Sequence, residues 1–128
     1  MQGICHTMIH ITKLMDEVFD NWTVQLRKGV LELCVLSAIG NSETCYGYAL
    51  VRSLVSTPGF DVSEGSIYPL LSRLRKQGVL ETRLEESSSG PARKYYKLTA
   101  LGKARMSAMQ SYYDSLHEGV NIIRSGKE

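Results

Sequence analysis

The hydrophobic period of this chain changes from that of a helix to that of a strand and back again, and the position of the first change limits the folds open to it. Before Gly78, apolar residues recur at steps of three and four. From Val79 to Glu85 the residues Leu80, Thr82 and Leu84 alternate instead. Side chains of a helix meet every 3.6 residues and those of a strand every second residue, so one segment cannot serve both patterns. Residues 86–92 contain Ser-Ser-Ser-Gly-Pro and read as a loop, and Arg93 to Leu98 reads as a second strand. The two strands make a β-hairpin. A helical pattern resumes after it, capped by Thr99 and running from about Ala100 to Arg124.

Three helical stretches precede the hairpin. From Ile11 the apolar positions Leu14, Met15, Val18, Phe19, Trp22 and Leu26 keep an amphipathic rhythm. From Thr23 to Ile39 the pattern becomes apolar over most of the helix surface, as for a central buried helix, until Gly40-Asn41-Ser42 stops it. Periodicity leaves open whether residues 11–39 form one helix or two. Thr44 reads as the N-cap of a short helix from Tyr46 to Val55, with Tyr46, Ala49, Leu50 and Leu54 inward. Ser63 reads as the N-cap of a third helix, Glu64 to Gln77, with Ile67, Leu70, Leu71 and Leu74 as its apolar stripe and Gly78 as its stop. Pro69 conflicts with a helix interior, because proline lacks the N–H and clashes with the preceding turn. The conflict disappears if the helix starts later and Pro69 falls in its first turn.

Two short helices followed at once by a hairpin and a long helix predict an α+β, mainly α fold: a winged helix-turn-helix with a long C-terminal dimerisation helix. The expected division is an extension at 1–14, either poorly ordered or outside the working protein, a DNA-binding domain at 15–98 and a dimerisation helix at 99–124. In this layout the third helix enters the major groove, which admits one helix. Its outward face offers Ser66, Tyr68, Arg73 and Lys76, short hydroxyl and long cationic groups suited to base edges and phosphates. The wing offers Gly90, Pro91, Arg93 and Lys94, a rigid turn followed by two cations.

Charge agrees with that placement. The formal net charge is only +2, yet residues 52–105 carry ten Lys or Arg against five Asp or Glu. A basic middle on a nearly neutral chain points weakly to a polyanion partner. A composition that is 43% hydrophobic and 22% charged is that of a globular chain with a core of its own. Cys5, Cys34 and Cys45 are odd in number and form no C-x-x-C pair, which fits a reducing cytoplasm and predicts neither disulfides nor a zinc site. No stretch approaches the ~18 continuous apolar residues of a membrane span, and residues 1–11 do not read as a signal peptide. His6, His10 and His117 lie at the ends of the chain with no carboxylate completing a metal triad or a general-base pair. No catalytic residue, metal or cofactor is therefore expected.

The residues that fill this pattern resemble the PadR family of transcriptional regulators, and its shorter subfamily in particular. The resemblance is carried by Trp22-Thr-Val-Gln-Leu-Arg-Lys-Gly-Val-Leu-Glu, by Tyr46-Gly47-Tyr48, and by Ser66-Ile67-Tyr68-Pro69 with Leu74 and Gly78. It continues through Gly90-Pro91-Ala92-Arg93-Lys94-Tyr95-Tyr96-Lys97-Leu98-Thr99 and Gly102, so that it covers residues 15–113. It implies a homodimer that represses or modulates a promoter by reading an inverted repeat about one helical turn apart. The DNA-contact roles it implies map to Ser66, Tyr68, Pro69, Arg73, Arg93 and Lys94, with Tyr95 and Tyr96 packing the wing onto the body; Lys76 from the outward face of the third helix, and Tyr48, complete the expected contact set. The family dimerises through its last helix and often its first, which implies an interface of Leu14, Val18, Trp22, Met109, Tyr112, Leu116 and Ile123. Met109, Leu116 and Ile123 are seven residues apart, like a short coiled-coil seam. A small aromatic or apolar effector would sit at that interface, lined by Trp22, Tyr112 and Tyr113. One departure is that many members carry a basic residue where this chain has Pro91-Ala92, so the wing is expected to hold phosphate through fewer charges. The competing reading is a winged-helix protein-interaction module without DNA binding; Arg73, Lys76, Arg93 and Lys94 argue against it, since such a module would present a neutral third helix.

Overall fold

The computed structural model describes residues 2–127. It falls into two compact units, the first ending at Leu31 and the second beginning at Glu32. Helix α1 runs Gln2–Gly40 without interruption, so residues 11–39 belong to one helix. The expected extension at 1–14 is helical from Gln2 onward. Within the first unit α1 is exposed along nearly its whole length. Ile4, Met8, Ile11, Met15, Val18 and Trp22 are all exposed and stand at alternating steps of four and three residues, the spacing of a coiled-coil seam. The expectation of a central buried helix is met only at the C-terminal end of α1, where Val35, Leu36 and Ile39 are buried while Val24 and Leu26 remain exposed.

The second unit holds the winged domain. After α1 come β1 (Cys45–Tyr46), α2 (Gly47–Ser56), α3 (Glu64–Lys76), β2 (Leu80–Ser87), β3 (Gly90–Leu98) and α4 (Ala100–Ser125). The three strands form one antiparallel sheet in the order β1-β3-β2. β1 corrects the expected start of α2. Cys45 and Tyr46 pair with Tyr96 and Tyr95, so Tyr46 rather than Thr44 is the N-cap and the helix begins at Gly47. The shift also changes the inward face: Leu50, Val51 and Leu54 are buried and Ala49 is exposed. The wing is longer than its composition suggests. Its ladder reaches the pair Ser87–Gly90, with an irregularity between Glu85 and Ser87 and a turn at Ser88-Ser89.

The core is assembled from Val35, Leu36 and Ile39 of α1, the buried faces of α2 and α3, and Leu80, Tyr96 and Leu98 of the sheet. Two glycines permit its closest approaches. A Cβ on Gly47 would lie 2.9 Å from Cε2 of Tyr96, and one on Gly102 would lie 2.1 Å from the Val79 carbonyl oxygen. The second obstacle is backbone, so α4 starts against the end of α3 only because residue 102 has no side chain.

Candidate nucleic-acid interface

Helix α3 is divided cleanly. Ile67, Leu70, Leu71 and Leu74 are buried, and every other residue from Glu64 to Lys76 is exposed. At 100° per residue the exposed surface has a middle and two edges. Gly65, Pro69, Ser72 and Lys76 lie opposite the core. Ser66 and Arg73, seven apart, form one edge. Tyr68 and Arg75, also seven apart, form the other, which faces the sheet: both act electrostatically on the Tyr96 phenol. Burial pushes that phenol above the usual tyrosine range, Tyr68 adds to the shift and Arg75 opposes it, so Tyr96 stays neutral at physiological pH. Of the α3 set expected from sequence, Ser66, Tyr68, Pro69, Arg73 and Lys76 are all exposed. Arg75 and Ser72 were missed, although the 3.6-residue period places them on the same outward surface.

Pro69 does not fall in the first turn. Ser63 is the N-cap, which makes Pro69 the sixth residue of α3. With no N–H at Pro69, the Gly65 carbonyl has no donor four residues on, and it lies on the exposed middle of the helix where solvent or a ligand can supply one. The N-terminus carries Glu64, and Arg73, Arg75 and Lys76 occupy the last turn, an arrangement that suits the helix dipole at both ends.

The far end of α3 is locked to α4. The Val79 N–H donates to the Leu74 carbonyl at 3.0 Å and the Gly78 N–H to the Arg75 carbonyl at 3.1 Å, with Gly78 at φ +76°, which is a complete Schellman motif. Leu74 and Val79, the two positions whose hydrophobic contact accompanies this motif, are both fully buried. The Thr99 hydroxyl donates to the Gly78 carbonyl at 2.6 Å, and the Thr99 N–H donates to the Val79 carbonyl at 3.1 Å. The same hydroxyl oxygen accepts from the Gly102 N–H at 3.1 Å and so caps α4. Arg105 on α4 adds a side-chain tie: its Nη1 donates to Oε1 of Gln77 at 2.9 Å and to Oε1 of Glu32 on α1 at 3.3 Å. One residue of α4 thus holds both the last turn of α3 and the end of α1.

The wing separates its two expected cations. Side chains alternate along a strand. Cys45, Tyr96 and Thr82 form one cross-strand row on the core side, and Lys94 shares that side, with its Nζ 5.9 Å from the Tyr96 ring centre. Tyr46, Tyr95 and Arg83 form the next row on the outer side, which Arg93 shares. Arg93 lies 5.1 Å over the Tyr46 ring, and Tyr46 packs at 6.2 Å from Tyr48 and 5.9 Å from Tyr95. Lys94 therefore stands on the α3 side of the wing and Arg93 beside the start of α2. Of the two tyrosines expected to pack the wing onto the body, Tyr96 is buried on the core side, whereas Tyr95 is half-buried on the outer side between Tyr46 and Arg83.

The expected dimer residues are exposed on their helices, apart from Met109, which is half-buried. On α1, Trp22 stacks on Phe19 at 6.2 Å. On α4, Ile123 is 81% and Tyr112 70% exposed, and Tyr113 stacks on His117 at 6.1 Å. Among the described residues no cluster of His, Cys, Asp and Glu could hold a metal ion, and no helix is long and apolar enough to cross a membrane.

Comparison with known proteins agrees with this geometry. Residues 35–108 match the Transcriptional regulator PadR-like family. A PadR-like transcriptional regulator from Bacillus cereus is 41% identical with a TM-score of 0.71, covering 80% of this chain and 99% of its own. A transcriptional regulator from Streptococcus is 43% identical with a TM-score of 0.69, covering 78% of this chain and 97% of its own. A PadR family transcriptional regulator from Eggerthella lenta is 33% identical with a TM-score of 0.72, covering 86% of this chain and 95% of its own. The chain belongs to the PadR-like family of transcriptional regulators, and its work is regulation rather than catalysis.

Proposed function

We propose that the protein is a homodimeric repressor that reads an inverted-repeat operator, with α3 in the major groove and the wing on the adjoining backbone. The observation that carries this reading is the composition of the exposed half of α3. Tyr68, Ser72, Arg73, Arg75 and Lys76 stand free of the core on a helix whose far end is fixed by the Gly78–Thr99–Arg105 junction. A helix whose exposed face, beyond Glu64 in its first turn, carries its charge as arginine and lysine beside serine and tyrosine hydroxyls, and which is held from behind, can be set rigidly into a groove. Lys94, on the same side as α3, serves as a phosphate contact without sequence information. Tyr48, at the first turn of α2, and Arg93 take the neighbouring phosphates.

Dimerisation is supported by the apolar residues that each unit leaves uncovered: Leu14, Val18 and Trp22 on α1, and Tyr112, Leu116 and Ile123 on α4. Two copies pairing through these helices would place two α3 helices on successive half-sites. The exposed Tyr112 and Tyr113 support an aromatic or apolar effector at the paired helices, where Trp22 would be a further aromatic group.

The test is binding of the purified protein to DNA upstream of its own gene across a salt series. Steeply salt-dependent dimeric binding is expected. Lys94→Ala lowers the salt slope by about one unit on every sequence, whereas Arg73→Ala also relaxes preference for the operator. No salt-dependent binding to any duplex would remove the DNA reading and leave a protein-interaction module in its place.

A further inference from the structure

We infer a second, composite phosphate clamp where the start of α2 meets the outer face of the wing, with the Arg52 guanidinium and the Tyr46 hydroxyl as its contact groups beside Tyr48 and Arg93. It rests on the DNA-binding reading above and extends the path of the DNA backbone across a surface built by α2 and the wing rather than by α3.

The clamp is built from three tyrosines in contact. Tyr48 lies 6.2 Å from Tyr46, and Tyr46 lies 5.9 Å from Tyr95. Each ring carries a guanidinium: Arg52 at 5.9 Å over Tyr48, Arg93 at 5.1 Å over Tyr46, and Arg83 at 5.6 Å over Tyr95. A guanidinium held over an aromatic face is already partly ordered, so less side-chain freedom is lost when it meets an anion. The rings add phenolic hydroxyls, which donate to phosphate oxygens.

Charge marks where the clamp ends. Arg83 is tied to Glu85 at 2.5 Å, and Glu85 is also the cross-strand neighbour of Arg93. Helix α2 contains no acidic residue, so nothing on its own element neutralises Arg52. The N-terminus of α2 points to the same partner. Tyr46 is its N-cap but makes no side-chain capping bond, and no acid sits in the first turn. The first N–H groups of this ten-residue helix therefore lack a side-chain acceptor at the point where Tyr46, Tyr48 and Arg93 converge. Uncapped helix N–H groups ringed by cations and hydroxyls are a phosphate site, and a continuous row of them fits the repeating phosphates of a strand.

The experiment is binding of the full chain to a random-sequence duplex at several salt concentrations, with folding of each variant checked by circular dichroism. Phosphate contacts are independent of sequence, so no operator is required. Arg52→Ala is expected to lower the salt slope by about one unit, which shrinks its deficit against the unmodified protein about 3.5-fold between about 50 and 200 mM salt. Arg52→Lys restores the slope. Tyr46→Phe keeps the ring under Arg93 and removes one neutral donor, so affinity falls about fivefold at every salt concentration with the slope unchanged. Removing the Arg83–Glu85 pair together, as Arg83→Ala with Glu85→Gln, leaves the slope as it was, because the pair carries no net charge and no carboxylate is freed beside Arg93. An unchanged slope in Arg52→Ala would overturn the clamp, as would an equal loss in the Arg83→Ala, Glu85→Gln double variant, which would show that the slope does not report the clamp. Absence of salt-dependent binding by the unmodified protein is a different outcome: it overturns the DNA reading and the clamp with it.

Discussion

The winged core and the second half of α4 are built from similar apolar side chains and treat them in opposite ways. Leu36, Ile67, Leu74 and Val79 have no exposed surface, whereas Leu116 and Ile123 are 51% and 81% exposed. The core closes because its elements meet through backbone: strand pairing, the Schellman end of α3 and the Gly102 contact leave no room for alternatives. The end of α4 leaves Tyr112, Leu116 and Ile123 at least half exposed among the described residues. One region is complete as a single chain. The other stores apolar area that becomes stabilising only when something covers it, at roughly 25 cal/mol per Å².

The sharpest way to break this contrast is to disturb the closed region at its tightest point. Gly102→Ala forces a Cβ against the Val79 carbonyl and should cost about 3 kcal/mol of stability, read by urea unfolding. A loss under about 0.5 kcal/mol, within the range of an ordinary surface change, would mean that the α3–α4 junction is not rigid. In the open region Leu116→Asp should do the reverse. It should weaken self-association by about 2 kcal/mol, seen by sedimentation, while leaving helical content and the unfolding of the winged core nearly unchanged. Equal dimerisation by Leu116→Asp and the unmodified chain would move the interface away from α4. On the DNA-facing surface, Arg73→Ala should cost about 1.5 kcal/mol of discrimination between operator and random duplex with no change in folding. The smallest expected effect is at the bridge between regions. Arg105→Ala removes half-exposed bonds to Gln77 and Glu32 and should lower stability by about 1 kcal/mol. Its more telling readout is DNA affinity in a chain that still dimerises, since the same side chain holds the last turn of α3.

Much of the winged domain was legible because its elements announce themselves locally. The stripe Ile67-Leu70-Leu71-Leu74, the stop at Gly78 and the cap at Thr99 are readable from spacing and residue type, and each is realised in the structure. The misreadings have a common cause. Thr44 has the chemistry of an N-cap, but a cap is formed only if the backbone turns there, and Cys45-Tyr46 is held extended by β3. Ser-Ser-Ser-Gly-Pro has the composition of a loop, yet all but Ser88-Ser89 of it is carried in strands by cross-strand pairing. Pro69 was read against a local rule, and it sits mid-helix because the freed Gly65 carbonyl faces outward rather than into the core.

The linear chain specified which segments are helix and which are strand, where most of them stop, and which face of α3 turns inward, because period and capping act over a few residues. It did not specify β1, which is two residues long and carries no period. A strand from Arg93 already puts Arg93 and Lys94 on opposite sides of the wing, but the chain did not specify which of them shares the side of Tyr96, or that Arg75 joins the edge of α3 nearest Tyr96. Those follow from register and from the approach of distant elements, which depend on hydrogen-bond partners and close contacts more than 20 residues away in the chain.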